Sequence, residues 1–156
     1  MGSIIFSFSK NSILQKIFYG MSSKHKFVIE YEIHASVKMI YPYLSTANGL
    51  AEWFAEEVKT LADKTLDIIW DGQSHPAKLV SARTNSHIKY IFMPQNQEDE
   101  DDPTYLEFKL SHSEMMDTTF LKIIDYSEMN NDEDLKELWD NLIYDLRELL
   151  GAGHDE

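Results

Sequence analysis

Two hydrophobic periods run through the chain. From Phe27 to Ile33 the residues alternate, with Phe27, Ile29, Tyr31 and Ile33 on one face and Glu30 and Glu32 on the other, the pattern of a half-buried strand. Ser36 is placed to cap a helix over Val37–Leu44, where Val37, Ile40, Tyr41 and Leu44 share a face. Pro42 inside that segment predicts a kink or a short helix, because it has no N–H and clashes one turn back. Leu50–Phe54 reads as a second short helix after Thr46-Ala47-Asn48-Gly49.

Beyond Glu57 the period becomes two. Strands are predicted at Val58–Leu61, Thr65–Trp70, Ala77–Thr84, His87–Met93, Thr104–Leu110 and Thr118–Tyr126. Asp71-Gly72 is a hairpin turn signal, and Pro76 sets the next strand after itself. Gln95–Pro103, with five acids from Glu98 to Asp102, predicts an exposed, solvated hairpin loop, and Ser111–Asp117 a loop or wide bulge.

From Asn131 to Leu150 the period is helical. Leu135, Leu138, Trp139, Leu142, Leu146, Leu149 and Leu150 form one stripe, Asn130 or Asn131 can cap it, and Gly151 is placed to stop it. Strands joined by hairpins pair antiparallel. The long helix is the one large element able to cover their apolar face, so the expected class is α+β.

At 156 residues, with 43% hydrophobic content, the chain suits a single domain with a real core. It has no cysteine, which removes disulfides, thiolate metal sites and cysteine nucleophiles, and fits a cytoplasmic setting. The net charge of -13 is unevenly spread: no acid precedes Glu30, while Lys10, Lys16, Lys24 and Lys26 do, so residues 27–156 carry the acidity. Such a body repels phosphate backbones and anionic bilayers, so neither nucleic acid nor stable membrane insertion is expected.

Residues 1–24 form an N-terminal extension of different character, with Ile4-Ile5-Phe6 and Ile13, Leu14, Ile17 and Phe18 set among serines and lysines. It lacks the basic start, unbroken apolar run and cleavage site of a secretory signal. Two readings stand: Met21 is the true start and 1–20 is dispensable, which we favour, or the segment is an amphipathic helix that docks on the body or on a partner. The domain is expected over 25–151, with 152–156 as a tail.

Several local patterns resemble the START-like superfamily, which includes the birch-pollen allergen and activators of the Hsp90 ATPase. The segment Ala35–Phe54 is similar to its first helical pair, with a small-residue lead, an apolar helix ending at Leu44-Ser45-Thr46, then Gly49-Leu50-Ala51-Glu52-Trp53-Phe54. Val37 stands where many members have proline. Trp70-Asp71-Gly72, Tyr105-Leu106-Glu107-Phe108, Asp125-Tyr126 and Leu138-Trp139-Asp140 are further echoes, within Lys26–Gly151. The resemblance implies a helix-grip fold, a curved antiparallel sheet of six to seven strands around the C-terminal helix. Its activities range over lipid carriage, hormone reception, cyclisation and co-chaperone work, so fold does not give function.

The six histidines are scattered without metal-ligand spacing, and no nucleophile elbow or Gly-rich phosphate loop is present, so neither metal nor cofactor is expected. Trp53, Trp70, Tyr90, Phe92, Phe108 and Trp139 all fall on inner faces. With Leu138, Leu142 and Asp125 they are the candidates for lining a cavity between sheet and helix. The ordinary alternative is that they fill that space as core. Asp125 is on the inward phase, where an apolar setting would raise its pKa, or it simply caps a turn. The leading expectation is non-enzymatic binding of an apolar small molecule. The alternatives are a protein-interaction module meeting a chaperone or another partner, and a cyclase-like enzyme with Asp125 as base.

Overall fold

The computed structural model describes residues 24–151. The expectations for residues 1–23 and for the tail 152–156 lie outside the described residues. The order is β1 (His25–Ile33), α1 (Val37–Ser45), α2 (Ala47–Trp53), β2 (Glu57–Thr60), β3 (Thr65–Trp70), β4 (Gln73–Arg83), β5 (His87–Phe92), α3 (Gln97–Asp101), β6 (Tyr105–Ser113), β7 (Thr118–Ser127) and α4 (Asp132–Gly151). The strands form one seven-stranded antiparallel sheet in the order β1-β7-β6-β5-β4-β3-β2. This is the helix-grip architecture, with the curved sheet closed by α4.

Alternation decides the inner face. Ile68 and Trp70 on β3, Ile88, Tyr90 and Phe92 on β5, Leu106, Phe108 and Leu110 on β6, and Leu121 and Ile123 on β7 are all buried. From α4 come Leu135, Leu138, Trp139, Leu142, Ile143, Leu146 and Leu150. Asn131 caps this helix, its side-chain oxygen accepting from Asp134 N at 3.0 Å, and three acids in the first turn complement the dipole.

β1 runs alongside α4 in the same direction. At one end the His25 ring meets Asp132 at 2.7 Å. Midway, the Tyr31 hydroxyl donates to Asp140 at 2.7 Å. At the far end the Arg147 guanidinium donates to the carbonyl of Glu32.

The short helices are locked by small polar groups. Ser36 accepts from Met39 N at 3.1 Å, starting α1. Thr46 serves both helices: its hydroxyl donates to the Pro42 carbonyl at 2.8 Å and accepts from Gly49 N at 2.9 Å. The nine-residue α1 thus runs through Pro42 and ends soon after, as a short helix. A side chain at Gly49 would collide with the Pro42 carbonyl and lie within 2.7 Å of Tyr43 Cα. Only glycine allows α2 to leave α1 so sharply.

Four local expectations change. β4 begins at Gln73, not after Pro76. Pro76 pairs with Asp67 of β3 and sits just outside the first β4–β5 pair, Ala77↔Phe92, so its missing N–H falls at the end of that ladder, where its carbonyl still accepts from Met93 N at 2.9 Å. The acidic stretch holds a helical turn, α3, capped by Asn96. Within it Asp99 is buried, pairing with Lys24 Nζ at 2.9 Å and accepting from Gln95 N at 3.1 Å, so the stretch is not a uniformly solvated loop. β6 extends to Ser113 through residues expected in a loop, because Ser111, His112 and Ser113 pair with Phe120, Thr119 and Thr118. Gly151, expected just past the helix, is itself helical and is the last of the described residues.

Candidate functional site

Phe54 is the hub of the interior. It follows Trp53 at the end of α2 and lies one helical turn after the buried Leu50. Its ring stacks on Trp139 of α4 (centroids 5.8 Å, planes 20° apart) and meets Trp70 of β3 edge-on at 5.0 Å. Phe108 of β6 packs edge-on against both Phe54 (6.3 Å) and Trp139 (6.2 Å), and Trp53 closes on Phe108 at 6.0 Å. These offset and perpendicular geometries are the favourable ones for aromatic quadrupoles. The rings fill with one another the space between sheet and helix.

Each buried ring donor has an assigned acceptor. Trp53 Nε1 donates to the Tyr43 carbonyl at 2.9 Å, the Tyr90 hydroxyl to Leu44 at 2.7 Å and Trp70 Nε1 to Phe54 at 2.8 Å. All three acceptors lie at helix C-termini, where carbonyls lack partners within the helix. The aromatic side chains therefore cap α1 and α2 while packing beneath them. Burial pushes the Tyr90 hydroxyl far above the ordinary tyrosine range.

Asp125 lies beneath the cluster. It is 1% exposed, and its Oδ2 accepts from Trp139 Nε1 at 2.9 Å, while Oδ1 has no hydrogen-bond partner among the described residues. Burial raises its pKa from 3.8 to about 6, against the opposing pull of Trp139, Ser127 and the more distant His25.

The nine candidates do not all share one wall. Trp53, Trp70, Phe108 and Trp139 meet in the Phe54 cluster, and Asp125 is tied to it through Trp139. Tyr90 reaches α1 instead. Phe92 sits apart, at a small pocket of about 20 Å³ with His75, Pro76 and Thr104, room for about one water. Leu138 is buried in the core, and Leu142 reaches the surface end of the cluster. Sequence reasoning missed Phe54 as the hub, although its i, i+4 spacing from Leu50 carries the signal.

At the edge of the cluster, between α2 and α4, an open cleft of about 230 Å³ remains. Trp53, Phe54, Trp70 and Leu142 form its apolar side, and Glu52, Glu56 and Asp145 also line it. We call it the mouth cleft. A second cleft of about 390 Å³ lies between α1, α2 and the end of α4, with Lys38, Met39, Glu52 and Leu149. A third, of about 400 Å³, lies on the polar side of the sheet among Glu30, Glu107, Lys109 and Lys122. None of these clefts is lined by Asp125. No cluster of side chains suited to a metal ion occurs among the described residues.

The START-like superfamily domain matches residues 21–152. The chain belongs to this superfamily. Among solved structures, the START-like chain is similar to the Aha1 dimer from Colwellia psychrerythraea, at 19% identity and a TM-score of 0.67, over 83% of this chain and 98% of that one. It is similar to a Bacteroides fragilis protein solved by NMR, at 34% identity and a TM-score of 0.56, over 81% and 90% of the two chains. It is also similar to DynU16, described as a putative protein in the dynemicin biosynthetic locus, at 13% identity and a TM-score of 0.65, over 82% of this chain and 48% of that one. No curated protein matches the chain. Among the described residues, no helix of this START-like domain is long and apolar enough to cross a membrane.

Proposed function

We propose that this START-like domain is a non-catalytic binding protein that takes a small, largely apolar group at the mouth cleft between α2 and α4. One observation carries the reading: the interior aromatics close on each other around Phe54, and the cleft at their edge is lined by Trp53, Phe54, Trp70 and Leu142. Three of the nine sequence candidates, Trp53, Trp70 and Leu142, line this cleft, each at most 5% exposed. A molecule going deeper must part Phe54 from Trp139, and each fully buried aromatic contributes about 2–3 kcal/mol through burial. Deep binding would therefore proceed by opening α2 away from α4. An acidic chain without cysteine fits a cytoplasmic setting for this work.

The experiment is native mass spectrometry of the full chain purified from its source without denaturation. A co-purified mass of a few hundred daltons (roughly what such a cleft accepts), lost in a Trp53→Ala variant that remains folded, supports the reading. A chain that carries nothing and whose tryptophan signals respond to no small apolar molecule refutes it.

A second reading, a protein-interaction module, is favoured by the acidity of the domain, which suits a basic partner face. Likeness in fold to an Aha1 structure places a chaperone among the partners to test. Specific recovery of a chaperone on the immobilised full chain, abolished by charge reversal on the domain, supports this reading. Proton abstraction by Asp125 receives no support from the geometry, because the carboxylate is sealed beneath Trp139.

A further inference from the structure

We infer that the occupant of the mouth cleft carries a positive charge: an organic ammonium ion on an apolar body. The inference rests on the binding reading above and adds a charge to it. Each wall of the cleft presents one apolar and one acidic element. On one side Glu52 and Glu56 flank Trp53 and Phe54 in sequence. On the other, Asp145 follows Leu142 by three residues and so shares its face of α4.

The comparison among clefts is what makes these acids informative. The cleft between α1 and α2 sets Lys38 against Glu52. The groove on the sheet sets Lys109 and Lys122 against Glu30 and Glu107. In the small pocket near Phe92, Asp99 is neutralised by Lys24. Among the described residues no lysine or arginine lines the mouth cleft and none of its three carboxylates makes an ion pair, whereas each of the other three sites has a lysine in its lining or paired with its acid; Glu52, shared with the Lys38 cleft, is the least isolated of the three. The mouth cleft is also the one with indole rings on its apolar side.

Aromatic rings attract a cation through their quadrupole, and a concave acidic rim concentrates the field there. Carboxylate amphiphiles such as fatty acids meet the same field with the opposite sign. The geometry thus selects by charge among ligands of one size and hydrophobicity.

The test uses the full chain, labelled so that the indole N–H signals of its three tryptophans are resolved. Three probes share one ring and nearly one length: 2-phenylethylammonium, 2-phenylethanol and 3-phenylpropionate, each titrated near neutral pH. The cation is expected to bind on the order of tenfold more tightly than the alcohol, moving the Trp53 and Trp70 signals, and the anion more weakly than either. Raising the salt from about 0.05 to about 0.5 M should erode the cation's advantage. The double substitution of Glu52→Gln with Asp145→Asn, which leaves Glu56 in place, should cut the ratio of cation to alcohol affinity several-fold.

Equal affinity for cation and alcohol overturns the charge assignment and leaves the binding reading standing. No response to any of the three overturns both. A lysine-rich peptide that moves the same signals when free amine does not overturns the small-molecule assignment in favour of a protein partner.

Discussion

Trp139 Nε1 donates to Asp125 Oδ2 at 2.9 Å, joining the middle of the last helix to the last strand of the sheet in a region sealed from solvent. The indole satisfies one carboxylate oxygen and leaves the other without a partner, so this contact holds two elements together at an electrostatic penalty.

That penalty depends on pH. The folded pKa of Asp125, about 6, lies above the ordinary value of 3.8, so folding favours the protonated form. The stability that Asp125 costs is small below pH 3.8, accumulates between 3.8 and 6, where the unfolded chain is ionised and the folded one still largely protonated, and is complete above about 6. At full ionisation the loss is on the order of 3 kcal/mol. Asp125→Asn, neutral at every pH and still able to accept from Trp139, should therefore raise the unfolding midpoint most at pH 8 and by about a third as much at pH 4.5. Urea titrations of both proteins at the two pH values measure this. An equal shift at both would place the effect elsewhere.

Phe54→Ala should cost about 3–5 kcal/mol, because it removes the ring that Trp53, Trp70, Phe108 and Trp139 pack around. Tyr144→Ala, on the 62% exposed face of α4, should stay within about 0.5 kcal/mol. Thermal melts with near-ultraviolet circular dichroism check both, since the cluster contains all three tryptophans.

Gly49→Ala should destabilise by about 2–3 kcal/mol, as the new methyl strikes the Pro42 carbonyl and crowds Thr46 Oγ1 at 2.8 Å. Denaturant midpoints of the two proteins are the measurement. A neutral result would mean that α2 can tilt away from α1 at little expense.

Within the acidic stretch the acids should not behave alike. Asp99→Ala removes the carboxylate that a buried lysine pairs with, leaving it the Asp102 carbonyl, and an acceptor for Gln95 N, and should cost about 3 kcal/mol. Glu100→Ala, on the exposed side of α3, should be near neutral. Parallel unfolding curves of the two variants decide it.

Strand alternation made the inner face readable in advance, because a period of two commits every second residue to one side. The stripe on α4 was legible through its helical period, with Ile143 left out of it and Leu149, named in it, only partly buried. What escaped was set by contacts distant in sequence. Nothing local marks Asp99 as different from its acidic neighbours. Its burial depends on Lys24, 75 residues away. The aromatic candidates were named correctly as buried, but whether they would line a space or fill it turns on ring orientation, which periodicity does not encode. The mouth cleft was invisible because its walls come from α2, β3 and α4 together.

The position of β1 bears on the order in which the molecule can be made. Among the described residues its one sheet neighbour is β7, and its other support is α4, so the strand of this sheet that is made first is the last to find its place. β2 to β6 can pair in succession as they emerge, each with the strand just before it. Phe27, Ile29, Tyr31 and Ile33 must meanwhile wait, unpaired, for about ninety residues of synthesis. A nascent chain stalled before Thr118 would thus hold an ordered meander with a sticky leading strand, the form in which this protein most needs shelter from its own kind.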